Sequence, residues 1–180
     1  MVITGAARHG VFRYYYGPAS TGISCPEIRT GSIAMTSTDK PIPLPQAIEI
    51  GLAHFQSGRL PQAEATFRQI LSVDPTNVTA LDLMGCIAHQ VGKYDHALTF
   101  FQQALRHHPN DPFIHFNMGV SLEEQGKLHE ALACYHKVVA LKPDHAKAFG
   151  KIGVILQNLG KADEAVVSYR KALALLRSSS

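Results

Sequence analysis

The sequence predicts an all-α fold: an α-solenoid of four helix-turn-helix repeats, preceded by an irregular N-terminal tail. Three observations predict it. Gly58, Gly92, Gly126 and Gly160 recur every 34 residues, and so do Gly51, Gly85, Gly119 and Gly153. Pro75, Pro109 and Pro143 keep the same step. So do a small-residue series (Ala63, Ala97, Ala131, Ala165), an aromatic series (Phe67, Phe101, Tyr135, Tyr169) and an apolar one (Ile50, Met84, Met118, Ile152). A fixed period of this length is the mark of a repeat architecture, in which each unit buries its apolar face only by stacking on its neighbours.

In chain order, residues 1–43 come first and lack the period. Val11 to Tyr16 make one short strand-like run, and Gly17 to Pro45 are rich in Gly, Pro, Ser and Thr. We therefore expect an irregular or disordered segment, with translation beginning at either Met1 or Met35. Residues 44–180 form the repeat domain, with units at about 44–77, 78–111, 112–145 and 146–179. In the second unit, Leu81, Met84 and Ala88 recur at helical spacing, and Ala97, Phe101 and Ala104 do so again. Gly92 between them supplies the positive φ that a tight helix end needs. Asp95, Glu130 and Glu164 fall in the first turn of the second helix, where negative charge complements the dipole. Pro109 stops that helix. Gly85 and Ala97 are small so that the two helices approach closely, and Phe101 fills the space beside them.

The set Gly85, Gly92, Ala97, Phe101, Ala104 and Pro109, repeated at this period, resembles the tetratricopeptide repeat family. The departures are Ala47, Leu81, His115 and Phe149, where the family favours Trp, and His54, where it favours Tyr. The resemblance implies a right-handed superhelix whose first helices line a concave, partner-holding groove. More loosely, Gly58 to Glu64 and Gly85 to Gln90 are similar to repeats that precede bacterial glycosyltransferases of the O-linked N-acetylglucosamine transferase type. The function expected from the family is non-catalytic binding of a protein or peptide in that groove. The alternative is the partner- or substrate-recruiting N-terminal part of a glycosyltransferase whose catalytic domain is absent from this chain.

By the family's geometry, the groove carries Asp82, Cys86 and His89 from the second repeat, and Phe113, Phe116, Asn117 and Val120 from the third. Lys147, Lys151 and Asn158 come from the fourth, with Ile48, Glu49, Leu52 and Phe55 from the first. Asn117, Lys147 and Lys151 match three positions of the clamp by which chaperone-binding members of the family hold a terminal carboxylate. Asp82 and Cys86 occupy the other two, where the family has Lys and Asn, and an Asp there repels a carboxylate. On the last helix, Val166, Tyr169, Leu173 and Leu176 share one side, with no capping helix after them. A weak homodimer through this C-terminal repeat is the expectation.

Other chemistries find little support. The net charge of +3 is small and partly confined to the tail, which removes the concentrated basic field that nucleic-acid binding needs. No apolar run approaches the ~20 residues of a membrane span. Cys25, Cys86 and Cys134 are odd in number and irregularly spaced, against a disulfide framework and in keeping with a reducing, cytoplasmic compartment. Ten histidines raise the question of metal, but no fixed-spacing ligand cluster accompanies Cys86 and His89. His89, His96, His129 and His136 are expected on the surface, and Glu123-Glu124 at a solvated helix end. No cofactor, metal or catalytic group is expected.

Overall fold

A computed structural model describes residues 32, 33 and 42–178. These contain eight α-helices: α1 Leu44–Gln56, α2 Leu60–Val73, α3 Val78–Gln90, α4 Tyr94–His107, α5 Pro112–Glu124, α6 Leu128–Leu141, α7 Ala146–Asn158 and α8 Ala162–Ser178. They pair as successive antiparallel hairpins and divide into two compact units, one reaching His107 and the other starting at His108. In unit 1 the hairpins are α1–α2 and α3–α4, with α2 packed on α3. In unit 2 they are α5–α6 and α7–α8, with α6 packed on α7.

The turn inside each hairpin is set by one glycine. Gly92 has φ 78°, and Gly58, Gly126 and Gly160 have φ of 72–75°. In the α3–α4 turn that left-handed residue lets the Lys93 N–H reach back to the Ala88 carbonyl at 2.9 Å, capping α3. The second glycine series has a different cause. A Cβ at Gly51 would stand 2.7 Å from Phe67, one at Gly119 2.8 Å from Tyr135, and one at Gly153 2.6 Å from Tyr169. Here the aromatic ring of the second helix occupies the space that a Cβ on the first would need. Phe67, Phe101 and Tyr135 are consequently sealed from solvent, together with Ala63, Ala97 and Ala131. Each such large apolar side chain contributes about 1.5–3 kcal/mol by its burial.

The first helices of the last three hairpins begin at a side-chain cap in one shared register. Asn77 accepts from the Ala80 N–H, Asp111 from Phe113 and Ile114, and His145 from Ala148. Asp95, Glu130 and Glu164 do fall in the first turns of α4, α6 and α8. Ahead of α1, β1 (Ser32–Ile33) and β2 (Ile42–Pro43) pair antiparallel, Ile33 opposite Ile42. The sequence reading placed no strand at these four residues. Ile42 stands before a proline, which pushes its backbone into the extended region and makes it available for pairing. The strand-like run at Val11–Tyr16, Cys25 and the alternative start at Met35 lie outside the described residues.

Candidate functional site

In unit 1, α3 is buried almost from end to end, Ala80 through His89. Asp82, Cys86 and His89, expected to face a groove, are all within this buried stretch. The Cys86 Sγ–H points to Asp82 Oδ1 at 4.0 Å. Burial, and then the charge of Asp82, pushes the Cys86 thiol well above its ordinary pKa. A thiol held protonated in this way is neither a nucleophile nor a ready metal ligand. His89 was expected on the surface; instead its ring packs 5.3 Å from that of Tyr94 at the start of α4. Tyr94 supplies an aromatic surface that spacing along α3 alone does not reveal. His96, His129 and His136 are exposed. In α1, Phe55 is buried, Ile48 and Leu52 half-buried, and Glu49 exposed.

Unit 2 presents a more mixed surface. Phe113, in the first turn of α5, is 39% exposed, with the Lys142 ammonium 5.6 Å from the centre of its ring. One turn on, Phe116 is buried between Tyr135, centroid 5.4 Å away, and His145, centroid 5.1 Å away. Asn117 and Val120 lie buried beside it. Lys147, on the first turn of α7, is exposed, and partial burial of its stem lowers its pKa. Lys151 is half-buried and donates to Glu123 Oε1 at 3.0 Å, while the Tyr135 hydroxyl donates to Glu123 Oε2 at 2.9 Å. Asn158 is exposed near the end of α7.

Glu123 is therefore not a solvated helix-end residue. It joins three helices through one carboxylate, and the pairing leaves Lys151 and Lys147 unlike one another. The signal was present in the aromatic series, which changes from Phe67 and Phe101 to Tyr135 and Tyr169. Each added hydroxyl finds a polar group twelve residues earlier, Glu123 in one hairpin and Gln157 in the next.

On α8, Val166, Leu173 and Leu176 are exposed, the last two at 52% and 57%, while Tyr169 is half-buried over Gly153. Among the described residues no group of three or more His, Cys, Asp or Glu is placed to hold a metal ion. No described helix is long and apolar enough to cross a membrane.

Models of the tetratricopeptide repeat match residues 48–77, 78–111, 112–145 and 146–175. Among solved structures, a crystal structure of MamA superposes with TM-score 0.71 at 20% identity, covering 76% of this chain and 80% of that one. MamA 41-end from Desulfovibrio magneticus RS-1 gives 0.69 at 20% identity, over 75% and 76% of the two chains. MamA AMB-1 gives 0.64 at 25% identity, over 76% and 75%. These likenesses describe the fold. Comparison with curated proteins gives no match.

Proposed function

The chain belongs to the tetratricopeptide repeat family, and from that premise we propose that it is a non-catalytic interaction module holding a protein or peptide on the face of unit 2. The observation that carries this reading is a pair of exposed side chains at one repeat position, Phe113 and its counterpart 34 residues on, Lys147. Asp82, Cys86 and His89 on α3 are buried, whereas unit 2 offers an exposed aromatic, Phe113, opening α5 and an exposed cation, Lys147, opening α7. Phe116, Asn117 and Val120 are buried further along α5. Such a surface suits a peptide with an apolar anchor next to an acidic group. Lys147 is exposed, whereas Lys151 is half-buried and paired with Glu123, so the two lysines are not equal halves of a carboxylate clamp. Asn158 marks the far end of the same helix.

A peptide-display library selected on the full chain tests this. Enriched peptides are expected to carry an acidic residue beside an apolar one. They are expected to bind Phe113→Ala plus Lys147→Glu about tenfold or more weakly, a loss of about 1.4 kcal/mol, with the helical circular dichroism unchanged. Equal binding to both proteins sinks the assignment. The exposed Val166, Leu173 and Leu176 support a second, separate reading, weak pairing of two copies through α8. No observation favours recruitment for a glycosyltransferase.

A further inference from the structure

We propose that His145 is a pH-sensitive cap, whose protonation releases the first turn of α7 and loosens the packing of that turn on Phe116. Three hairpins start at residues 34 apart: Asn77, Asp111 and His145. The first two cap with side-chain oxygens, which remain acceptors at any pH near neutrality. The third caps with an imidazole nitrogen: the Ala148 N–H donates to His145 Nδ1 at 3.1 Å. To accept, the ring must be neutral with its proton on Nε2. Protonation puts a second donor on the ring, at Nδ1, facing the Ala148 N–H, which is left with only its other acceptor, the His145 carbonyl at 3.0 Å. It also sets a cation on the positive end of the helix dipole.

The surroundings oppose that cation as well. The residue is only 7% exposed, and its ring rests on Phe116 of α5 at 5.1 Å. Lys142, at the end of α6, and Lys147, on α7, add like charge; Asp144 beside it favours the cation. Burial, the largest influence, lowers the pKa from its ordinary 6.5; the ring's own backbone hydrogen bond works the other way without reversing it. The sign follows from linkage. A histidine whose folded pKa lies below the unfolded one contributes stability that is complete above about 6.5, and that stability is lost as pH falls from there toward the lowered value. Because Lys147 sits two residues on, acidification acts on the first turn of α7 whatever unit 2 holds.

The test is amide exchange at Ala148 in the full chain, wild type against His145→Asn, from pH 8 to pH 5. Asn keeps an acceptor in the register where Asn77 already uses one, and it does not titrate. The ratio of wild-type to variant exchange is expected to be flat above about pH 6.5, then to rise by up to about tenfold per pH unit until the folded pKa is passed. A ratio that stays flat throughout overturns the switch. Should the variant fail to fold, the wild-type His145 ring protons followed by NMR decide alone: a midpoint clearly below 6.5 supports it, and one at or above 6.5 refutes it.

Discussion

Changing Gly119 to Ala and Gly150 to Ala makes the same chemical substitution in neighbouring first helices of unit 2, and the structure gives the two opposite signs. In both, Ala removes the entropic penalty of a mid-helix glycine, about 1 kcal/mol. At Gly150 nothing lies within 4 Å of the new Cβ, so the gain is expected in full. At Gly119 the new methyl stands 2.8 Å from Tyr135 Cε1 and 3.1 Å from its Cδ1 and Cζ. Against a carbon–carbon contact of about 3.5 Å, that is roughly 0.7 Å too close. The ring has little freedom to retreat: it is fully buried, meets Phe116 on one side, and is anchored through its hydroxyl to Glu123. Overpacking of this kind costs about 1–3 kcal/mol. The propensity gain offsets part of it, and a net loss of up to about 2 kcal/mol is expected. Urea unfolding followed by circular dichroism reads both, with the midpoints moving in opposite directions at an unchanged slope. If Gly119→Ala stabilises as much as Gly150→Ala, the ring does not lie where the close approach requires it.

Ala97→Leu and Ala131→Leu place bulk at fully buried crossings and should each lower stability by about 1–3 kcal/mol; exposed Glu124→Gln should stay within about 0.5 kcal/mol, and denaturant melts that rank them otherwise would show the register to be wrong. Cys86 should resist alkylation at pH 8 in the native protein and react once urea is added, because burial and Asp82 hold its thiol protonated; residue-resolved mass spectrometry checks this, and equal labelling in both states would contradict the buried placement. Cys134, whose pKa burial raises to about 11, should also label slowly in the native state. For α8, sedimentation velocity across micromolar concentrations should show a concentration-dependent dimer that Leu173→Glu plus Leu176→Glu abolishes, whereas an unchanged monomer throughout would remove that interface.

The hairpins were legible because the constraints that make them are local and repeated. A positive φ at Gly92 and a ring lying on Gly119 leave the same residue types at the same spacing in each unit, so four copies reinforce one reading. The candidate site does not repeat in that sense. Residues 82, 116 and 150 share one register, yet they are Asp, Phe and Gly, and their exposure depends on what each hairpin packs against. His89 appeared to be a surface residue until Tyr94 supplied a ring beside it. Glu123 looked solvated until Tyr135 and Lys151 converged on its carboxylate. His145 was overlooked for a further reason. Asn and Asp are familiar helix caps and histidine is not, so the cap series was visible only once its three acceptor atoms could be compared in space. Departures from a repeated pattern are where an array of similar hairpins acquires individual chemistry. In unit 2 two of them adjoin, since the His145 ring and the Tyr135 ring flank the same Phe116. A shift of either ring therefore meets the same buried side chain, one helical turn from Phe113.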